Sequence, residues 1–533
     1  MKTKPPSENA FSATNRPADR YFVWIAKGMV VLLGVVTFTL VLRPRDQLIS
    51  RPLTEDGYYS LAVARNIALG RGITIDGHQR TDGFQPLFTF VTVPAFWLAN
   101  GDRFSAVRYV LGLHWLFYLL TAWLLGLIAR DALGRAYPGF SQRILWFTVL
   151  LYAASSWIFM VSFNGLETGC LVFMYALVWR YYQRGKHETR AGLAGLGVLL
   201  GLLVLARIDS VFFVILISIF QLVRPRNSAV KEKVVRFVIV GGTAFLVSLP
   251  WWAYNVFDFG SLMPISGKAE ESFAFSLERF STAGGALLHV LVPYLYLGES
   301  MFEGTTATLV RLLVVAVLAW FVWKILKDSK NQEAMNSDGT IRRTTEVAIT
   351  MAATMVFLLF WYTVSSYASW FYVRYITPLV LVSTLCWVLV LTRFTLKFRR
   401  LSVLALLFIA GPVCLITYML SSGGVSNEYF QQQYALVERY VPPTDLVGAH
   451  QTGTLGYCRD NVVNLDGKVN FEIHRPGFNM ADYLRERGIR WLCDWPWSTV
   501  PSLTGSDPES HGWKLIARSG RFVLYHYLPD DHK

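Results

Sequence analysis

The sequence predicts an α-helical polytopic membrane protein with a small α/β domain at its carboxy end. Three observations carry this. The 533-residue chain is 53% hydrophobic and only 16% charged, where soluble globular chains carry about 25% charged residues. Between residues 21 and 420, apolar segments alternate with polar breaks. From Ser421 onward the composition turns polar and mixed. The net charge of +14 resides largely in basic clusters between apolar segments. That suits membrane orientation and interfacial anchoring rather than nucleic acid.

Residues 1–20, with Lys2, Lys4, Arg16 and Arg20, read as a disordered cytoplasmic start. Tyr21 to Leu42 is the first span, a signal anchor whose Lys27 can snorkel to the cytoplasmic interface. Residues 43–103 form the first exported loop. Within it, Tyr58 to Leu69 has helical apolar spacing with Arg65 to one side, which suits a helix lying in the interface plane. Gln85 to Asn100 is apolar but short, and Pro86 and Pro94 interrupt it. It is either a short span or a second in-plane helix. The positive-inside rule favours the second, because a span there would put the later basic clusters outside.

Ten further spans follow, at 104–129, 145–162, 170–182, 192–206, 211–223, 237–254, 307–323, 347–364, 376–391 and 401–420, making eleven. Every dense basic cluster then lies on the cytoplasmic side, most clearly Arg224 to Arg236. Ala286 to Leu297 is expected as a surface helix in an exported loop. Residues 21–420 thus form the membrane domain, and 421–533 an exported α/β domain. In that domain 446–448, 462–465 and 521–527 read as strands and 480–487 as a helix. Cys170, Cys386 and Cys414 sit in apolar segments as packing residues. Cys458 and Cys493 lie in the exported tail and are either a disulfide or two free thiols. No metal-ligand spacing such as C-x-x-C or H-E-x-x-H appears.

The chemistry-bearing residues collect in the exported breaks. Glu55 and Asp56 either help begin the helix that follows, where Thr54 or Asp56 can cap it, or supply a general base for a hydroxyl. Tyr58 and Tyr59 fit a boundary between headgroups and water. Glu167, in Asn164-Gly165-Leu166-Glu167-Thr168, either favours the next helix's dipole or orients a substrate. Arg207 and Asp209 share a hairpin tip and can neutralise each other. Lys268, Arg374 and Tyr375 lie on the exported side next to spans. There the two cations either snorkel to headgroups or bind phosphate.

These residues fall in an order that resembles a family. Glu55-Asp56-Gly57-Tyr58-Tyr59, Ala64-Arg65-Asn66-Ile67-Ala68, Gly70-Arg71-Gly72, Thr81-Asp82-Gly83-Phe84-Gln85-Pro86-Leu87, Asn164-Gly165-Leu166-Glu167, Phe259-Gly260-Ser261 and Pro264-Ile265-Ser266-Gly267-Lys268 resemble polytopic GT-C glycosyltransferases. They are closest to the bacterial branch with arabinofuranosyl- and mannosyltransferase-like members that use polyprenyl-phosphate sugars. The resemblance spans residues 20–420. The tail is similar to exported domains of such proteins at Gln451-Thr452-Gly453-Thr454-Leu455-Gly456-Tyr457 and Asn464-Leu465-Asp466-Gly467.

The resemblance implies a bacterial inner-membrane enzyme that inverts the anomeric centre of a sugar taken from a polyprenyl monophosphate. The acceptor would be a hydroxyl of a cell-envelope glycan, lipid or protein. It also implies that an acid of the first exported loop is the base and that this loop carries in-plane helices. The pair here is Glu-Asp rather than Asp-Asp, and Asp56 is read as the base. Glu55 and Glu167 are expected beside it, with Tyr58, Tyr59, Asp82, Gln85, Arg207, Asp209, Lys268, Arg374 and Tyr375 as substrate contacts. The phosphate is expected on Lys268, Arg207 or Arg374. No cofactor is demanded, and the paired acids leave a place for a divalent cation. Two rivals are a transporter or flippase for a lipid-linked sugar and a membrane scaffold with an exported binding domain. A transporter calls for polar groups inside several spans, whereas here the acids lie in exported breaks.

Overall fold

A computed structural model describes residues 17–134, 137–223, 229–294, 305–327, 339–397, 428–498, 503 and 508–528. Four of its helices are long and apolar enough to cross a membrane: Arg20–Leu42, Arg103–Leu133, Val230–Phe259 and Gly339–Ser365. Two bent helix pairs are together long and apolar enough for a broken span or a re-entrant loop, Ser141–Ala153 with Ser156–Phe163 at 62° and Ser369–Tyr375 with Leu379–Arg393 at 61°. Pro86–Leu98, Arg190–Ala206 and Ile208–Val223 are shorter apolar helices. The expected span at 401–420 lies outside the described residues.

Both bends have local causes. At the first, Ser155 starts a new helix by accepting from Ile158 N at 3.3 Å, while its hydroxyl donates to Pro293 O at 2.8 Å. At the second, Pro378 removes a backbone donor and pushes Thr377 out of helical geometry. Uniform hydropathy hid the first break, and the second falls at the start of the span expected at 376–391, which was read straight through Pro378.

The bundle packs around Arg103–Leu133 and Thr168–Gln183, whose Tyr118, Leu125, Ile128, Tyr175 and Trp179 are fully buried. The stretch expected as a surface helix at 286–297 begins within an amphipathic helix, Leu277–Leu291, whose outer face is exposed; residues 295–297 lie outside the described residues. Ala283, Ala286 and Val290 form one buried stripe at helical spacing. Trp387 Nε1 and Ser383 Oγ donate to the carbonyls of Leu291 and Val290 at its end.

The C-terminal segment builds a five-stranded mixed sheet, β1 (Val447–Ala449), β2 (Val462–Asn464), β3 (Trp491–Asp494), β4 (Trp513–Ser519) and β5 (Phe522–Tyr527), in the order β2-β1-β3-β5-β4. β1 pairs in parallel with β2 and β3, and β5 is antiparallel to β3 and β4. Helix Glu428–Tyr440 covers one face, its buried Gln433 donating to the carbonyls of Cys493 and Gln451. β3 and β4 were not foreseen. β3 is buried throughout and so lacks the period-2 alternation that marks a half-exposed strand. Cys458 and Cys493 are free, buried thiols in separate apolar clusters, which settles that alternative against a disulfide.

Candidate functional site

Helix Glu55–Ala68 begins at Thr54, but no side chain caps it. Thr54 instead donates through its backbone N and its hydroxyl to Asn164 O, at 2.9 and 3.1 Å. This ties the start of the helix to the break at 164–167. The two backbones touch closely. Gly165 adopts φ +83°, and a Cβ at Gly57 would sit 2.7 Å from Asn164 O. Only glycine permits both the positive φ and the close approach. Asp56 and Glu167 are thereby brought to one wall of a cavity of about 210 Å³.

Adjacent positions on a helix point about 100° apart, and the two acids diverge accordingly. Asp56 lines the cavity with its side chain 27% exposed. Glu55 turns into the C-terminal segment, where its carboxylate accepts from Gly453 N at 2.5 Å, Thr454 N at 2.9 Å and the Thr454 hydroxyl at 2.6 Å. Burial pushes the Glu55 carboxyl up to about 7, and these hydrogen bonds only partly offset it.

Glu167 sits at the start of Thr168–Gln183, makes no cap hydrogen bond and is buried. Its charge is answered across the cavity. Arg374 Nη2 donates to both oxygens, at 3.1 and 2.9 Å, and Arg207 Nη1 lies 3.7 Å away. Arg207 also pairs through Nε with Asp209 at 2.9 Å, and its guanidinium lies over the Tyr375 ring. Tyr362 donates to Asp209 at 2.9 Å and stacks on Tyr375. Arg374 Nη1 reaches to 4.0 Å from Asp56 Oδ2. The buried charges therefore form one alternating network, Asp209–Arg207–Glu167–Arg374–Asp56. Such a network fixes geometry because removing one of its buried members leaves a desolvated charge unpaired, whereas Asp56 is its half-open end.

Of the residues singled out in sequence, Asp56, Tyr59, Gln85, Glu167, Arg207, Asp209, Arg374 and Tyr375 line this cavity. Four do not. Glu55 faces the C-terminal segment, as described. Tyr58 is buried and donates to the carbonyls of Leu48 and Ile49. Asp82 is buried and accepts from Ile265 N at 3.1 Å, so it joins the first loop to the segment at 264–269; burial pushes its carboxyl up to about 6. Lys268 is exposed, outside the cavity wall. Three charged residues that sequence reasoning missed also line the cavity, Glu270, Glu271 and Lys468. Glu270 accepts from the Tyr375 hydroxyl at 3.1 Å and lies 3.6 Å from Lys468 Nζ. Glu270 stands two residues past Lys268. Lys468 directly follows Asn464-Leu465-Asp466-Gly467, a stretch the resemblance marked without giving it a role. Among the described residues no group of three or more His, Cys, Asp or Glu side chains is arranged to hold a metal.

The architecture is a mostly helical bundle with several helices apolar enough to cross a membrane, and its polar cavity is walled partly by Lys468 and Val469 of the turn after β2. No family model matches the sequence, and no curated protein matches it. Solved structures do share the fold. The chain is similar to ArnT from Cupriavidus metallidurans bound to undecaprenyl phosphate, with TM-score 0.59, 12% identity, and coverage of 95% of this chain and 98% of that one. It is similar also to the apo state of that protein, with TM-score 0.53, 14% identity and the same coverage.

Proposed function

We propose that the chain is an inverting GT-C-type glycosyltransferase. It moves a sugar from a polyprenyl monophosphate to a hydroxyl acceptor, a glycan, lipid or protein of the cell envelope, on the extracytoplasmic face of a bacterial inner membrane. The observation that carries this reading is the cavity itself. A half-open carboxylate, Asp56, stands beside buried guanidiniums, next to an apolar groove suited to a lipid tail. That groove, about 720 Å³, runs between Val211–Val223 and Val230–Phe259 and reaches Leu262, while Met263 and Pro264 already line the polar cavity. The fold shared with a protein bound to undecaprenyl phosphate supports the same choice of donor.

In this reading Asp56 accepts the acceptor's hydroxyl proton as the oxygen attacks the anomeric carbon from the face opposite the phosphate. The carbon–oxygen bond to the phosphate breaks, and its electron pair stays on the leaving phosphate. Cations already fixed in a desolvated cavity stabilise that charge without reorganising. Glu167 holds Arg374, and through it the setting of Asp56, rather than touching the proton in flight. The step as written uses side chains alone, and a divalent cation would add to the stabilisation of the phosphate.

The test is product analysis with purified full-length protein, polyprenyl-phosphate sugars and a cell-envelope extract. Sugar transfer is expected in the wild type. Asp56→Asn is expected to lower turnover by about 10²-fold or more with an unchanged melting profile. Near-normal transfer by that variant refutes the role of Asp56, and no transfer by the wild type with any polyprenyl-phosphate sugar refutes the reading.

A further inference from the structure

We propose that Lys468, carried by the C-terminal domain, is the residue that binds a phosphate oxygen of the substrate in the cavity. This rests on the glycosyltransferase reading above and goes further, because it makes the C-terminal domain part of the site.

The cations of the cavity differ in how far they are already engaged. Arg374 places two hydrogen bonds on Glu167. Arg207 is paired with Asp209 and covered by Tyr375. Most of their hydrogen-bond donors are held by those carboxylates, although Arg374 Nε has no partner, so the two guanidiniums lend an anion their field more than new hydrogen bonds. Lys468 is different. Its side chain is 22% exposed and lines the cavity, and the carboxylate oxygen paired with it, Glu270 Oε1, is 3.6 Å away, beyond hydrogen-bond length. An ammonium has three donors, and no described residue stands at hydrogen-bond distance to take one. Asp56, Asp466 and Glu270 surround it, and they keep it charged against the effect of burial. Burial pushes the Glu270 carboxyl upward, so that group competes weakly for the ammonium.

The turn that presents Lys468 is built to hold it there. Lys468 N donates to Asp466 Oδ1 at 2.9 Å, and Gly467 N donates to Asn464 Oδ1 at 3.2 Å. Asn470 Nδ2 donates to Asn464 O at 2.8 Å. These are the residues Asn464-Leu465-Asp466-Gly467 that stood out in the sequence and that the proton transfer leaves without a task. On the membrane-domain side, Gly83 meets the turn. A Cβ there would lie 2.1 Å from Lys468 O, so the two backbones are in direct contact. The cavity is thus closed by a preorganised turn bearing a cation with free donors. As the bond to the anomeric carbon breaks, the charge on the phosphate oxygen grows, and the ammonium strengthens its hydrogen bond to it without giving up a proton.

The test uses the full chain and undecaprenyl monophosphate, with the corresponding polyprenyl alcohol as the uncharged comparison. Lys468→Met keeps the length of the side chain and removes the charge, and Lys468→Arg restores it. Lys468→Met is expected to weaken binding of the monophosphate by about 10- to 100-fold, the loss of a charge-assisted hydrogen bond. Binding of the alcohol should be unmoved, and Lys468→Arg should recover most of the loss. Melting profiles of both variants confirm folding. Equal binding of the monophosphate by wild type and Lys468→Met overturns the proposal. So does an effect confined to the KM of the acceptor, which would assign Lys468 to a phosphate or carboxylate on that substrate. If the wild type itself does not distinguish monophosphate from alcohol, the donor reading falls, and this inference with it.

Discussion

Glu55→Gln tests how the C-terminal domain is held against the first loop. The wild-type carboxyl titrates at about 7 in the folded protein against an ordinary 4.5. A carboxyl whose pKa is raised by folding favours the folded state while protonated in both states. Its contribution is full below about pH 4.5 and is lost as the pH rises to about 7. At about 1.36 kcal/mol per pKa unit, the loss across that window is about 3 kcal/mol. Glutamine cannot titrate, so the variant lacks this slope. It also sets an NH₂ group against a set of donors, Gly453 N, Thr454 N and the Thr454 hydroxyl, that the two carboxyl oxygens now share. Near pH 4.5 the variant is therefore expected to be less stable than wild type by about 1–3 kcal/mol. The deficit should shrink, and close or reverse, by pH 7.5. Denaturant unfolding of the detergent-solubilised full chain between pH 4.5 and 7.5 reads both curves. Taking the difference between wild type and variant cancels every titration the two share. Parallel curves would refute the reasoning, showing that Glu55 carries the same charge folded and unfolded.

Two further perturbations address the cavity wall. Glu167→Gln leaves Arg374 and Arg207 with an uncompensated buried charge, and is expected to cost about 3–5 kcal/mol; an unaltered unfolding midpoint counts against the alternating network. Gly83→Ala places a methyl where Lys468 O now sits, so the turn must retreat, at about 1–3 kcal/mol. Its expected signature is weaker undecaprenyl monophosphate binding together with faster proteolysis of the C-terminal domain. Wild-type values for both would show that the two backbones can part without consequence.

The helical class, the order of apolar segments and the convergence of Asp56, Glu167, Arg207 and Arg374 were legible because each has a local sign. A charge in a short break between apolar runs must go somewhere polar, and the breaks at one end of a bundle share that end. The divergence of Glu55 from Asp56 was not legible, since it depends on which wall of the helix the C-terminal domain covers. The place of Lys468 in the cavity was invisible for a related reason. Glu55 and its partner Gly453 are separated by 398 positions, and no local pattern reports a contact across such a span. The helix at 277–291 was placed too late in the chain because its buried face is a stripe of small residues, Ala283 and Ala286, rather than a run of high hydropathy.

The seam between Gly83 and the Lys468 turn also bears on when the protein becomes competent during its synthesis. The apolar helices and Asp56 emerge early, yet the wall of the cavity that carries Lys468 is made late, after most of the polypeptide. A nascent or clipped chain would present its carboxylate to an open, wet surface lacking the ammonium. On the proposed glycosyltransferase reading, chain order alone would keep unfinished molecules from spending a lipid-linked sugar.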